Sequence, residues 1–270
     1  MYLEFYGLDR EPFHITPDPY FFYLSPSHKE AFASMVYGLK NKKGFMALTG
    51  EVGLGKTTVM RTFLDQWAKK KNIKTIFVFN TDISFQGLLR VILEELESDV
   101  PAGLSGASGP VSEMQEKEAV AELVQQLHKL LIKDYQAGYN VILIIDEAQN
   151  MPVATLERLR MLSNLETATS KLLQIFLIGQ PELDATLNKK ELRQLRQRIA
   201  IRARLKPLSR KETLRYIVSR LEKAGGPPKT IFKSRALELI YHYSKGIPRH
   251  INILCDNALI TGFGLGKARI

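Results

Sequence analysis

At 270 residues, with 45% hydrophobic and 24% charged positions, the chain can hold one large domain and a small one, and its composition is that of a globular protein. A single cysteine, Cys255, rules out an intrachain disulfide and fits a reducing compartment. No apolar run approaches the roughly eighteen residues of a membrane span, and the Met1-Tyr2-Leu3-Glu4-Phe5 start lacks the basic and apolar regions of a signal peptide, so a cytoplasmic chain without a membrane span is expected.

The apolar run 44–49 predicts a short buried strand, and the helical spacing of Val59, Phe63 and Trp67 predicts a helix over 58–70. Joining them is Gly50-Glu51-Val52-Gly53-Leu54-Gly55-Lys56-Thr57, which satisfies G-x-x-x-x-G-K-[ST] at every fixed position. Glycines let such a loop curl so that successive N–H groups point inward at phosphates with no Cβ in the way. Lys56 then neutralises phosphate charge, Thr57 offers a hydroxyl to Mg²⁺, and the helix N-terminus running through Thr58 adds partial positive charge. A nucleoside triphosphate site is expected here; the bland alternative is a glycine-rich turn between a strand and a helix.

Residues 74–80 are β-rich and predict a second strand ending at Asn80, followed by a helix over 84–97 and an exposed Gly/Ser/Pro-rich loop over 98–110. Val120, Leu123, Val124, Leu127, Leu130 and Leu131 have helical spacing within 113–134, with His128 a structural side chain beside that stripe. Val141-Ile142-Leu143-Ile144-Ile145-Asp146-Glu147 reads as a parallel strand buried on both faces and ending in two carboxylates. Ligands of open α/β sheets bind beyond the carboxyl ends of the strands. Asp146 is therefore expected to hold Mg²⁺, directly or through water, and Glu147 to act as general base toward the attacking water. A helix over 152–165, a buried strand over 172–178 ending at Gly179-Gln180, and an alternating strand over 199–205 complete the pattern.

Net charge is +10, and +9 of it lies between Lys189 and Lys211, where ten basic residues face one acid, Glu191. Charge so concentrated describes one basic ridge rather than a diffuse nucleic-acid-binding surface. Beyond Pro207 only helices are expected, over 209–224, 233–244 and from Pro248 onward, with Gly225-Gly226-Pro227-Pro228 breaking the first from the second. The fold expected is an α/β P-loop NTPase sandwich with a parallel sheet over 1–207, N-terminal extension included, followed by a small all-helical lid over 208–270 that ends without an evident cap.

These features together resemble an AAA+ ATPase, and finer motifs narrow the resemblance to the ExeA-type ATPases, the general secretion pathway protein A family. Those motifs are Phe5-Tyr6-Gly7-Leu8, Pro12-Phe13, Thr16-Pro17-Asp18-Pro19, Phe22-Tyr23-Leu24-Ser25 and Ser27-His28 at the N-terminus. Ile145-Asp146-Glu147-Ala148-Gln149-Asn150, Gly179-Gln180-Pro181-Glu182-Leu183 and Gly246-Ile247-Pro248-Arg249-His250-Ile251-Asn252 continue it over the whole chain. The resemblance implies ATP and Mg²⁺ as cofactors and a nucleotide-dependent homo-oligomeric ring. It also implies a protein partner in an envelope or secretion apparatus.

For single residues, the resemblance implies that Gln180 holds the attacking water as sensor 1, that Arg249 reaches the γ-phosphate as sensor 2, and that Asn80 restrains Glu147 until a partner binds. Arg198 or Arg196 would serve as the arginine that completes a neighbour's site. Members of this family commonly continue into a membrane-spanning segment and a peptidoglycan-binding domain. Neither is in this sequence, so membrane association is expected only through partners or a missing C-terminal segment. Two rival readings fit the sequence less well: a DNA-associated regulator of the TniB or TnsC transposition type, and a GTPase or small-molecule kinase. The second lacks an Asn-Lys-x-Asp guanine reader and does not suit a helical lid.

Overall fold

The computed structural model describes residues 1–16, 18–67, 72–97, 113–226 and 231–270, the side chains of 113–117 excepted. In chain order these form α1 (Tyr2–Tyr6), α2 (Pro26–Lys40), β1 (Phe45–Thr49), α3 (Lys56–Trp67), β2 (Ile73–Val78), α4 (Phe85–Glu97), α5 (Glu113–Gln136) and β3 (Asn140–Ile145). There follow α6 (Val153–Leu162), β4 (Leu173–Gly179), α7 (Pro181–Leu187), α8 (Arg193–Arg198), β5 (Ile199–Arg204), α9 (Arg210–Lys223), α10 (Ser234–Ser244) and α11 (Pro248–Gly264). Short 3-10 turns stand at Pro19–Phe21, Ala148–Asn150 and Lys190–Leu192. The Gly/Ser-rich loop expected over 98–110, the end of the helix expected to reach Lys70, and the Pro227-Pro228 break lie outside the described residues.

The chain divides into two compact units, one of residues Ala31–Thr49 and Phe63–Arg204, the other of Met1–Glu30, Gly50–Thr62 and Leu205–Ile270. The first unit is built on a parallel sheet in the order β2-β3-β4-β1-β5. Every residue of β1 and β4 and all but the first of β3 are buried, because strands covered on both faces need apolar side chains at every position. β5 at one edge alternates buried and exposed instead, with Arg202 and Arg204 pointing to solvent, charges that discourage edge-to-edge pairing. On one face Val141, Leu143, Ile145, Leu173, Ile175 and Leu177 share a core with Leu88, Ile92, Leu127, Leu131, Leu156 and Leu159 of α4, α5 and α6. On the other, Phe176 of β4 packs against Phe63 of α3 with ring centres 5.7 Å apart, and Phe63 against Phe32 of α2 at 6.1 Å. This is a sheet between two helical layers, an α/β architecture.

β1 lies between β4 and β5, whereas the next strand, β2, stands at the far edge, so the chain leaves β1 at a point where strand order reverses. Element ends differ from the sequence expectation where local hydrogen bonding decides. β2 stops at Val78, whose partner Ile145 is the last residue of β3, and Phe79 and Asn80 beyond it are exposed. α6 stops at Leu162 because Ser163 turns its hydroxyl back onto the Arg160 carbonyl. α3 starts before Thr58, since the Val59 N–H already donates to the Gly55 carbonyl at 2.9 Å.

In the second unit, Leu208, Ile217, Leu221, Phe232, Ile251, Cys255 and Leu259 of the C-terminal helices share one core with Tyr6, Leu8, Phe13 and Phe21 of the N-terminal segment. The sequence division places these first residues with the sheet, yet their aromatic side chains are buried among the C-terminal helices. Arg220, 7% exposed, fixes the segment: it donates to the Pro12 carbonyl and to the Tyr216 hydroxyl and lies 4.8 Å from the centre of the Phe21 ring. Tyr216 in turn donates to Asn252 at 2.8 Å, and the Asn252 amide donates to the His14 carbonyl at 3.2 Å. A capping box of Ser209 and Glu212 starts α9.

Candidate functional site

The loop 50–57 follows directly on Thr49, the last residue of β1. Gly53 and Gly55 have φ of +80° and +91°, values that side chains with a Cβ rarely adopt, so the curl depends on glycine at both. Lys56, 7% exposed, donates from Nζ to the carbonyls of Gly50 at 2.8 Å and Glu51 at 3.2 Å, which holds its ammonium against the loop. Leu54 is buried, Glu51 and Val52 are exposed, and Thr57 and Thr58 are half-buried on the first turn of α3. Arg249, exposed on the first turn of α11, reaches this loop through its backbone: its N–H donates to the Gly53 carbonyl at 3.2 Å.

Below the loop sits His28. Its Nε2 lies 2.9 Å from the Leu54 carbonyl and its Nδ1 2.6 Å from the Ser25 hydroxyl. A carbonyl only accepts, so Nε2 carries the proton and Nδ1 takes the Ser25 O–H. Burial pushes the imidazole pKa below its ordinary value, opposed by the Leu54 carbonyl and by Glu212. The sequence offered Ser27-His28 only as part of a resemblance, and the contact explaining it spans 26 positions.

The sheet unit carries the acidic residues. Register pairs Thr49 with Gly179 and Ile145 with Leu177, so β1, β3 and β4 end along one carboxyl edge of the sheet. There the Thr49 hydroxyl donates to Asp184 of α7 at 2.9 Å. Asp146 accepts the Glu147 N–H on Oδ1 at 2.9 Å. Glu147 itself is left-handed, with φ 51° and ψ 38°, a strained conformation for a residue with a side chain and one that clusters at functional sites. Its carbonyl accepts the Thr81 hydroxyl at 3.2 Å. Its carboxylate Oε2 accepts two amides, Gln149 Nε2 at 2.6 Å and Gln180 Nε2 at 3.1 Å.

The structure thus brings Gln180 to Glu147. It places Asn80 elsewhere: that side chain is exposed and accepts the Asp82 backbone N–H at 3.3 Å, while Gln149 and Gln180 donate to Glu147. The reason is the early end of β2 at Val78, which leaves Asn80 beyond the ladder. Arg198 donates to the Ser163 hydroxyl and, at 2.9 Å, to Asn164 Oδ1, while Arg196 donates to Asn188 Oδ1 at 3.2 Å.

Residues 39–187 match the family model described as AAA domain. The chain belongs to the AAA family. It is a P-loop ATPase with the AAA+ fold. Over 272 aligned residues this AAA protein is 41% identical to general secretion pathway protein A of Aeromonas hydrophila, an alignment covering 100% of this chain and 46% of that one. The chain therefore spans about half the length of that relative. Among solved structures, the Aeropyrum pernix ORC2 protein is similar with a TM-score of 0.67 at 19% identity, over 97% of this chain and 69% of that one. The Aeropyrum pernix ORC1 protein in complex with DNA is similar with a TM-score of 0.62 at 18% identity, over 97% and 66% of the two chains. At such identities the likeness is one of fold. No helix among the described residues is long and apolar enough to cross a membrane.

Proposed function

We propose that this AAA ATPase is a Mg²⁺-dependent switch that hydrolyses ATP within a ring of its own copies and drives assembly of a bacterial secretion or envelope apparatus. The observation that carries the reading is Glu147: a left-handed residue after a buried strand, next to Asp146, its carboxylate held by two glutamine amides. A general base needs such a fixed carboxylate, and strain at one residue is tolerated where function requires it.

The residues fit the nucleotide. Gly53 and Gly55 keep the loop free of crowding Cβ atoms, and Lys56 is already drawn against it by two carbonyls. Loop amides 50–55 and Lys56 would bind the phosphates, with Thr57 and Thr58 opening the helix behind them. The Thr57 hydroxyl and Asp146 carboxylate are hard oxygen donors that would hold Mg²⁺, which supplies charge neutralisation when bound. Glu147 takes a proton from water as the water oxygen attacks the γ-phosphorus, the bond from that phosphorus to the β,γ-bridging oxygen breaks, and ADP leaves. Gln180 orients the water, and Arg249 meets γ-phosphate charge from α11. Arg198, or Arg196, acts on a neighbouring subunit's nucleotide. Each bonds to polar side chains of its own chain, Arg198 to Ser163 and Asn164 and Arg196 to Asn188. Catalysis of this kind is positioning and electrostatics, with no covalent intermediate.

The secretion role rests on the relative's name and on likeness through the whole of this chain. A second reading, a ring that tracks duplex DNA, is favoured by one observation: Arg202 and Arg204 are exposed along the edge strand within the basic window. Duplex affinity falling steeply with added salt would favour it, whereas no binding at low salt favours the envelope role.

Phosphate release from ATP, measured with Mg²⁺ and with excess chelator, tests the proposal, together with light scattering with and without a non-hydrolysable analogue. Mg²⁺-dependent release and an analogue-induced rise in mass are expected. Equal turnover without divalent cation, or a monomer at every concentration, would overturn it.

A further inference from the structure

We propose that Gln149 is a positioning residue for Glu147: one end of its amide fixes the carboxylate oxygen and the other is pinned to the end of β4. Gln149 Nε2 donates to Glu147 Oε2 at 2.6 Å, and Gln149 Oε1 accepts the Gln180 backbone N–H at 3.0 Å. The same side chain therefore ties the general base to the residue whose own amide donates to that carboxylate at 3.1 Å. An amide can donate to a carboxylate at one end and accept from a backbone N–H at the other, so the residue type matches the task.

Two further features point the same way. The left-handed turn at Glu147 leads straight into the 3-10 turn Ala148–Asn150, which carries Gln149 back beside the carboxylate two residues earlier. Gly179 leaves the room: a Cβ there would lie 2.7 Å from Gln149 Oε1. Closing three groups into one cycle of hydrogen bonds restricts the carboxylate far more than one bond would, and placement errors of an ångström in a catalytic group cost rate heavily.

The inference rests on Glu147 as general base, so the test includes Glu147→Gln. Gln149→Glu preserves size and the acceptor for the Gln180 N–H while removing the donor; Gln149→Ala removes both. For each, kcat and KM for ATP are measured alone and in the Glu147→Gln background, with analogue affinity and circular dichroism confirming a folded protein. The expected result is kcat lower by on the order of tenfold or more in Gln149→Glu, with KM and analogue affinity near normal. Residual turnover of Glu147→Gln should fall no further when Gln149 is also changed, because a residue acting only through Glu147 has nothing left to position.

Normal kcat in Gln149→Glu, or an equal fold-loss in both backgrounds, would overturn the positioning role while leaving the general base intact. Gln149→Ala decides in the same way if Gln149→Glu does not fold. Turnover retained by Glu147→Gln would overturn the reading beneath it.

Discussion

The Arg249 backbone N–H donates to the carbonyl of Gly53 at 3.2 Å, and a Cβ on Gly53 would lie 2.7 Å from the Cβ of Arg249. Gly53 occupies a variable position of the G-x-x-x-x-G-K-[ST] pattern, so the motif alone does not demand glycine there. The approach of α11 does. It ties Arg249, the arginine proposed to meet the γ-phosphate, to the loop that would carry the phosphates.

Gly53→Ala should accordingly weaken nucleotide binding about tenfold, since both the φ of +80° and the close contact must relax, at about 1–3 kcal/mol. Calorimetric titration with an ATP analogue checks it; unchanged affinity would mean that the contact with Arg249 is slack.

Lys56→Ala should abolish measurable nucleotide binding, because the side chain is proposed to supply charge to the phosphates; its two bonds to the carbonyls of Gly50 and Glu51 are lost as well, so the loop itself is also affected. Calorimetry with ATP and a melting curve without it separate the two effects. An affinity equal to that of the wild type would contradict the loop assignment.

The two amides on Glu147 and the separate bond of Asn80 predict a contrast in turnover. Gln180→Ala should lower kcat by on the order of ten- to a hundredfold, whereas Asn80→Ala, whose exposed side chain accepts the Asp82 N–H, should change it by less than about twofold. A large loss in Asn80→Ala would restore the restraint that the family resemblance implies for that residue.

His28 makes the loop sensitive to acid. Its pKa is lowered from 6.5 in the folded protein, chiefly by burial, so the unfolded chain binds more protons than the folded one just below that pH. The stability contributed by neutral His28 is complete above about pH 6.5 and is lost as pH falls below it. Melting midpoints between pH 7.5 and about 5.5 should drop more steeply for the wild type than for His28→Gln. Parallel slopes would remove His28 from the acid response.

Much of the fold was legible because its signals are local. Strands β1, β3 and β4 are unbroken apolar runs, and full burial in a parallel sheet requires that. The short helices α7 and α8 carry no such signal, because seven and six residues hold too few turns for periodicity to register. The site was legible in its charged parts, where Lys56, Asp146 and Glu147 belong to contiguous patterns. Gln149 and His28 have partners 31 and 26 positions away, and nothing in the residues around them announces such partners. The position of Asn80 beyond β2 is illegible for a similar reason: the last rung of a ladder depends on where the neighbouring strand stops.

The most direct test of the account is ATP affinity and turnover measured side by side for Glu147→Gln. The account predicts analogue affinity within about twofold of the wild type and turnover lower by on the order of a hundredfold or more. Turnover close to that of the wild type would contradict it.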